Sequence, residues 1–323
     1  MKLYPIKFTP ILKEKIWGGE KLVQKFKKKS EKNNIGESWE ISDVKGNVSI
    51  VANGDLRGTS LKELVQKYKG TFVGDKVYEQ FGEDFPVLIK FIDAKTPLSI
   101  QVHPNNELAK ERHDSFGKNE MWYIMDSDAT AELIIGFNEE VSQKEYVEAL
   151  EGGKILDILN AEKVTKGDAF YIPTGRVHAI GAGTVLAEIQ QTSDITYRIY
   201  DYERVDKISG KQRELHTEQA LDAIDYRVHE SYKTDYELVE NQSSKLIHSP
   251  YFKTDVIQLN TTILKDYSQL DSFVIYMCVD GVFEVIANDE VFSVEKGETI
   301  LLPASIQEIS LKSQSAKILE VYL

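Results

Sequence analysis

The chain is poor in cysteine and proline, and its positive charges are few. Its 323 residues include one cysteine and eight prolines, and 39 Lys and Arg stand against 52 Asp and Glu, for a formal net charge of −13. A single cysteine excludes an internal disulfide framework and is typical of a reducing compartment. The acidic balance excludes nucleic acid as a partner, because nucleic-acid binding needs clustered cations.

Long apolar runs are also missing. The start of the chain has no apolar stretch of signal-peptide length, and no segment reaches the roughly 20 apolar residues of a membrane span. We therefore expect a cytoplasmic protein with no membrane partner. With 41% hydrophobic residues the chain can still bury sizeable cores, and its length predicts two packed units.

Short apolar segments separated by Gly, Asn and Asp run along most of the chain, a pattern typical of β-sandwiches and barrels. Helices interrupt this pattern at three places. Ser60 and Ser142 each open a capping box, and residues 217–224 predict a third helix.

One stretch carries more information than any other. Gly167 is followed by five residues, then Pro173, Gly175 and His178 complete a Pro-x-Gly-x-x-His pattern. The glycine turns the chain, an apolar strand follows, and the second bend delivers His178 to the mouth of a small barrel. This is the second sequence box of the cupin barrels, and it predicts His178 as a metal ligand.

Two upstream segments can supply further ligands. Ser99, Gln101 and His103 alternate with apolar residues, so they share one face of a predicted strand. Glu120 leads into another apolar strand, with Lys118 two residues earlier on the same face. Two imidazoles and a carboxylate suit a divalent first-row metal, with Zn²⁺ as the default.

Arg198 extends this pattern toward an anionic substrate. Together with Lys118 it predicts a cationic pocket, because guanidinium forks match phosphate geometry. From spacing alone, Arg198 could equally pair with Asp194 or Asp201 at the surface. The remaining histidines have no ligand spacing, and we expect surface or capping roles for His113, His216, His229 and His248.

These motifs resemble the class I phosphomannose isomerases, the zinc-dependent mannose-6-phosphate isomerases, and more closely their short bacterial branch. The resemblance runs over nearly the whole chain and rests on 16–19, 36–40, 86–94, 98–104, 117–120, 178–188 and 193–202. It implies an aldose–ketose isomerase that interconverts mannose 6-phosphate and fructose 6-phosphate through an enediolate. It further implies one Zn²⁺ per chain and a phosphorylated hexose as substrate.

Carried over position by position, the resemblance implies a ligand set. His103, Glu120 and His178 match the residues that hold the zinc. Gln101 matches a fourth ligand of longer relatives.

The resemblance also implies catalytic and substrate-binding residues. Arg198 matches the family's catalytic arginine, and Lys118 matches an active-site lysine next to the metal-binding glutamate. Ser99 matches a position near the substrate phosphate, which Lys118 and Arg198 would also contact. Longer relatives carry Asn-His where this chain has Phe116-Gly117, and Asn where it has Ile195, so the group that takes the proton is left open.

Two other classes of protein fit the same residues. Two histidines and a carboxylate on a cupin barrel also form the facial triad of non-haem Fe(II) oxygenases, which predicts redox chemistry with a 2-oxo acid or catechol. A non-catalytic sugar- or metal-binding cupin would keep the ligands but could lose Lys118 and Arg198. Both are present, which favours the enzyme.

The C-terminal part repeats the barrel pattern without its ligands. Gly297 and Pro303 have the same spacing as Gly167 and Pro173, but no Gly or His follows at the matching positions. Asp280-Gly281 predicts a hairpin turn. The fold class we predict is therefore mainly β, with two cupin (jelly-roll β-barrel) domains and a few inserted helices. The domains are a catalytic metal-binding cupin at 1–232 and a degenerate, metal-free cupin at 233–323, in a monomer or homodimer.

Overall fold

A computed structural model describes residues 2–206 and 210–323, and it confirms a mainly β chain with inserted helices. The strands of the N-terminal part are β1 (Phe8–Thr9), β2 (Ile11–Gly19), β3 (Ile35–Ile41), β4 (Asp43–Val44), β5 (Asn47–Val48), β6 (Ile50–Val51), β7 (Val87–Ala94), β8 (Ile100–Val102), β9 (Glu120–Ser127), β10 (Glu132–Phe137), β11 (Leu159–Lys163), β12 (Ala169–Ile172), β13 (His178–Ile180), β14 (Thr184–Gln191) and β15 (Tyr197–Tyr200). Those of the C-terminal part are β16 (Ser243–His248), β17 (Lys253–Leu259), β18 (Thr262–Asp266), β19 (Val274–Ala287), β20 (Glu290–Glu295), β21 (Thr299–Leu302), β22 (Glu308–Lys312) and β23 (Ala316–Tyr322).

The helices begin where the capping residues predict. Ser60 and Ser142 accept hydrogen bonds from the backbone N–H groups of Glu63 and Glu145, and both capping boxes are complete. The helices are α1 (Lys21–Gln24), α2 (Leu61–Tyr68), α3 (Gly70–Val73), α4 (Asp75–Phe81), α5 (Asn106–His113), α6 (Gln143–Glu151) and α7 (Thr217–Ala223), with a 3-10 turn at Ile155–Ile158. In the described part of the chain, none of them has the length and apolar character needed to cross a membrane.

The N-terminal barrel consists of two antiparallel sheets that share one core. The six-stranded sheet has the order β12-β9-β14-β7-β2-β3, and the five-stranded sheet has the order β11-β10-β13-β8-β15. Trp122, Phe170 and Leu186 of the first sheet pack with Leu133 and Ile180 of the second. This is the jelly-roll arrangement that the alternating strands predict.

The C-terminal barrel is one curled sheet of eight strands, in which β19 pairs with β20, β21, β22 and β23. Its hairpin turn is not where the sequence predicts, because β19 is continuous from Val274 to Ala287. At Gly281 the backbone has φ +75°, and the register with β23 shifts just before it, so the strand bends rather than reverses. The reversal comes at Asn288 and Asp289, both with positive φ, which join β19 to β20.

The pairing of β9 with β12 in the N-terminal barrel and that of β19 with β21 in the C-terminal barrel have the same register. β9 pairs with β12 so that Glu120 lies opposite the residue that precedes Pro173. β19 pairs with β21 in the same way, and there Val274 lies opposite the residue that precedes Pro303. An apolar valine therefore takes the position of the candidate carboxylate ligand. For this reason we keep the prediction that the C-terminal barrel binds no metal.

The barrels are joined through a continuous apolar layer. On β9, Trp122 faces the lumen, whereas Met121 and Tyr123 belong to a cluster that includes Val256 and Ile275 of the C-terminal barrel. Strands β7 and β14 are buried along their whole length because both of their faces are covered. The N-terminal segment takes part in the contact, since β-bridge hydrogen bonds join residues 6 and 301. The division at residue 232 stays a proposal.

The bend of β19 gives a test of the fold. A Cβ atom at Gly281 would lie 2.1 Å from the carbonyl oxygen of Ser315, whereas one at Gly46, with φ +79°, meets no atom within 4 Å. We expect Gly46→Ala to lower the free energy of unfolding by about 1–2 kcal/mol through backbone strain. Gly281→Ala should lower it by about 1–3 kcal/mol more through steric overlap. Urea unfolding measures both, and equal losses would contradict the bend.

Candidate metal centre and active-site pocket

Three buried side chains meet in the lumen of the N-terminal barrel. His103 follows β8, Glu120 begins β9 and His178 begins β13, and each is at most 1% exposed. One ligand atom of each lies within 4.8 Å of the others. The Nε2 atoms of His103 and His178 are 3.7 and 3.4 Å from the Glu120 carboxylate oxygens. Strands that are distant in sequence thus bring the three predicted ligands together.

Both imidazoles are held in the orientation that metal ligation needs. Nδ1 of His103 lies 2.9 Å from the carbonyl oxygen of Ile195, and Nδ1 of His178 lies 2.8 Å from that of Arg176. Because carbonyls only accept hydrogen bonds, each Nδ1 donates and each Nε2 keeps its lone pair. Burial lowers the pKa of His103 well below its usual value and that of His178 to about 3, so both are neutral.

The carboxylate between them lacks hydrogen-bond donors of good geometry. Neither oxygen of Glu120 accepts a hydrogen bond from the described residues, although Lys118 Nζ lies 3.0 Å from Oε2 as an ion pair. Burial raises the pKa of Glu120, and the Lys118 charge opposes that rise. A fully buried carboxylate with unused lone pairs is a group that a bound cation would satisfy. The donor set therefore fits a divalent metal ion.

Gln101 lies beside this cluster. Its Nε2 atom is 3.2 Å from Nε2 of His178, and the side chain is half-buried. A half-turn of the amide would bring its oxygen, the atom that ligates metals, to the same place. His113, His216, His229 and His248 are not members of the cluster.

A second buried carboxylate lies next to the first. Glu188 on β14 accepts hydrogen bonds from Lys90 Nζ at 2.8 Å and from Trp122 Nε1 at 2.9 Å, and Lys90 also donates to Gln190 at 2.6 Å. Burial by itself would raise the pKa of Glu188, but the Lys90 and Lys118 charges and the indole hydrogen bond lower it. This carboxylate is therefore ionised.

Sequence reasoning assigned no role to Lys90 or Trp122. The available signal was charge inside apolar runs: Lys90 interrupts 87–92, and Glu188 and Gln190 alternate with apolar residues on one face of β14. A charged residue in a strand that is buried on both faces needs a partner of opposite charge. The sequence indicated that partner only as another charged residue inside an apolar run.

An open pocket of about 120 Å³ leads from solvent to these groups. Ser99 and Arg198 stand on its wall, with Arg198 Nε donating to Ser99 Oγ at 3.3 Å and Nη1 donating to the carbonyl oxygen of Glu214 at 2.8 Å. The surface ion pair considered for Arg198 is not formed with Asp201, which instead binds Arg204 and Arg213. The charged residues that line the pocket are five cations, Lys15, Lys90, Lys118, Arg198 and Arg213, and three carboxylates, Glu37, Glu188 and Asp194.

The excess of cations is local to this pocket, because the chain as a whole is acidic. Tryptophans Trp17 and Trp39 complete the lining with apolar surface. A small molecule with an anionic end and a polar body fits such a lining, since fixed cations compensate the charge that the desolvated anion carries. The predicted residues Ser99, Lys118 and Arg198 all face this space.

Comparison with known proteins agrees with this arrangement. Residues 6–143 match the sequence profile described as phosphomannose isomerase type I, catalytic domain, and residues 242–323 match that described as mannose-6-phosphate isomerase, cupin domain. The mannose-6-phosphate isomerase ManA of Bacillus subtilis is 35% identical over 97% of both chains. The chain belongs to the type I phosphomannose isomerase family. The family member of Streptococcus mutans, a mannose-6-phosphate isomerase, is 32% identical over 94% of this chain and 93% of its own.

Two solved structures have the same fold. The crystal structure of the Bacillus subtilis mannose 6-phosphate isomerase superposes with a TM-score of 0.90 at 32% identity, covering 99% of this chain and 100% of that one. A putative mannosephosphate isomerase from Archaeoglobus fulgidus gives 0.80 at 25% identity, covering 100% and 99%. The similarity of fold therefore extends over at least 99% of this chain.

The pair Lys90–Glu188 gives a test of the buried charges. Lys90→Met should lower the free energy of unfolding by about 3–5 kcal/mol, because it leaves a buried carboxylate without its cation. Because the pKa of Glu188 is lowered on folding, the stability its ionised form contributes is present above the ordinary value of about 4.3 and lost as the pH falls through the folded-state value.

The control is the double variant Lys90→Met/Glu188→Gln, in which no charge is left unpaired. Urea unfolding at neutral pH should find the double variant more stable than Lys90→Met alone. If Lys90→Met has the same free energy of unfolding as the unmodified protein, the ion pair does not contribute to stability.

Proposed function

We propose that this chain is a mannose-6-phosphate isomerase that interconverts mannose 6-phosphate and fructose 6-phosphate in the pocket of its N-terminal barrel. The single observation that carries the proposal is the cluster of His103, Glu120 and His178 in contact with Lys118 and Gln101, which line a cation-rich pocket, in a chain of this family. The cytoplasmic location and a monomeric or homodimeric state stay predictions.

Zn²⁺ is the metal we propose for the cluster, with one ion per chain. His103, Glu120 and His178 would hold it, and Gln101 is the candidate for a fourth ligand. Neutral imidazoles with an unprotonated Nε2 and a carboxylate with unused lone pairs are the donors zinc prefers. When bound, the ion would supply a Lewis acid that stabilises negative charge on substrate oxygens.

The reaction moves a proton between C1 and C2 of the open-chain sugar, and negative charge develops on two adjacent oxygens. Lys118 is our candidate for the group that carries the proton at its Nζ atom. It lines the pocket and lies 3.1 Å from Nε2 of His103 and 3.0 Å from Oε2 of Glu120. A base must lie within hydrogen-bond reach of its substrate, and this lysine is placed between the candidate ligands and the open pocket.

Arg198 is the candidate for charge stabilisation, and Ser99 for a contact with the phosphate. The guanidinium is oriented by Ser99 and by the carbonyl oxygen of Glu214, so its geometry is set before substrate enters. Lys118 and Arg198 both line the pocket, where both can meet a phosphorylated hexose. With five cations against three carboxylates, the lining has an excess of positive charge that favours a dianionic substrate over an uncharged sugar.

Metal dependence is the first test. We expect chelator-treated protein to lose conversion of mannose 6-phosphate to fructose 6-phosphate in a coupled assay, and Zn²⁺ to restore it without oxygen uptake. Fe²⁺ is the parallel addition. Oxygen uptake with Fe²⁺ and no isomerisation would instead support an oxygenase, and no reaction with any metal would leave a binding protein.

Separate substitutions test the ligand assignment. Glu120→Gln and His178→Ala should each lower bound zinc, measured by atomic emission, from one ion per chain to a small fraction. Gln101→Ala should weaken zinc binding about 10- to 100-fold if the amide is a ligand or orients one. His229→Ala, outside the cluster, is the control and should keep its zinc. Full zinc content in Glu120→Gln would refute the assignment.

A further inference from the structure

Residues 213–216, a short segment in the second described range, lie behind Arg198 of the candidate active site. Residues 213–216 run beside β15, the edge strand of the five-stranded sheet. His216 donates its backbone N–H to the carbonyl oxygen of Arg198 at 2.7 Å, and its ring Nδ1 accepts the backbone N–H of Arg198 at 3.1 Å. The backbone carbonyl of Glu214 accepts a hydrogen bond from the Arg198 guanidinium at 2.8 Å.

These contacts replace the neighbour that an edge strand lacks. Arg198 is the Cα partner of Gln101 on β8, but its own N–H and carbonyl groups point away from β8, toward His216. In a wider sheet, the N–H and carbonyl groups of one further strand would bind them. Here a backbone N–H supplies one partner and an imidazole nitrogen supplies the other.

The segment is itself anchored. Arg213 donates to both oxygens of the Asp201 carboxylate, through Nε at 2.8 Å and through Nη2. Arg204 binds the same carboxylate and also donates to the backbone carbonyl oxygen of Pro97, just before the strand that carries the candidate ligands. Residues 213–216 are thus tied to the pocket wall at one end and continue into α7 at the other.

We propose that His216 is a positioning residue for Arg198, acting through an unprotonated Nδ1 with the ring proton on Nε2. The inference rests on the proposed role of Arg198 in the isomerase reaction. By receiving the Arg198 N–H, the imidazole holds β15 in place while the neighbouring Glu214 carbonyl holds the guanidinium. Both ends of Arg198 are set by one four-residue segment, so a shift of that segment displaces the guanidinium from the substrate.

The charges around His216 favour the neutral ring. Burial lowers its pKa, the Arg198 charge on β15 and His113 on α5 lower it further, and Glu214 opposes them. Tyr197 on β15, whose hydroxyl is hydrogen-bonded to His113, lies at 6.4 Å between ring centroids. Protonation of Nδ1 would turn the acceptor into a donor facing the Arg198 N–H. Because the folded-state pKa is lowered, the contact is intact above the ordinary value of about 6.5 and is lost as the pH falls through the folded-state value.

The test compares two substitutions of the same residue. The asparagine side-chain oxygen of His216→Asn reaches roughly the position of Nδ1, whereas His216→Leu keeps volume but offers no acceptor. We expect His216→Leu to lower kcat for mannose 6-phosphate on the order of 10- to 100-fold with zinc content unchanged, as small misplacements of catalytic groups do. His216→Asn should recover most of the lost kcat. Because asparagine does not titrate, it should also remove the part of the fall in kcat at low pH that protonation of His216 causes. Imidazole ¹⁵N resonances of the unmodified holoenzyme should show an unprotonated Nδ1 on this ring.

Two controls separate the inference from the proposed function. His229→Asn, at a half-buried histidine that does not line the pocket, should leave kcat and the pH profile unchanged, and Arg198→Gln should abolish turnover. If Arg198→Gln is inactive while His216→Leu is as active as the unmodified enzyme, the inference fails and the function stands. An equal loss in the Asn and Leu variants also overturns it, as does an Nδ1-protonated ring. If Arg198→Gln keeps full activity, both the role of Arg198 and the inference fall.

Discussion

Two carboxylates and two ammonium groups share the lumen of the N-terminal barrel, and the remainder of the site depends on how their charges are balanced. Glu188 is neutralised by Lys90, whereas Glu120 has only the Lys118 ion pair and no well-formed hydrogen bond. For a fully buried carboxylate such as Glu120, incomplete pairing is costly unless a cation joins it. The protein therefore keeps one carboxylate satisfied by its own side chains and leaves the other available to a metal ion.

The C-terminal barrel has the same strand register but no carboxylate at the position of Glu120. Glu320 lies opposite Tyr276 on β19, at the register position that Glu188 occupies opposite Trp122 on β9. Glu320 is also fully buried and is bound by Lys265 at 2.8 Å, so the internally paired carboxylate recurs. The position of Glu120 is apolar there. The outward faces of the two barrels pack on each other, which keeps water from the strands behind the candidate metal centre.

Local sequence patterns predicted the parts of the fold that depend on neighbouring residues. The capping boxes placed α2 and α6, and the spacing from Gly167 to His178 placed a strand, a bend and a candidate ligand. The prediction of a hairpin turn at Asp280-Gly281 was wrong because an Asp-Gly pair occurs in strand bends as well as in hairpin turns. Only the pairing of β19 with strands on both sides distinguishes the two.

The sequence by itself determined the fold class and the three candidate ligands, which rest on residue type at short spacing, and the family, which rests on a resemblance along nearly the whole chain. Only the tertiary structure decided which groups meet across the barrel. Lys90 and Glu188 come from strands nearly a hundred positions apart (|i−j| = 98), and His216 contacts Arg198, 18 positions earlier in the chain. Their pairing follows from strand order and register, which are properties of the whole sheet. A charged residue inside an apolar run shows that a partner is needed, but it does not show which residue that partner is. For the same reason, the support behind Arg198 was invisible until the edge strand and its neighbour were in place.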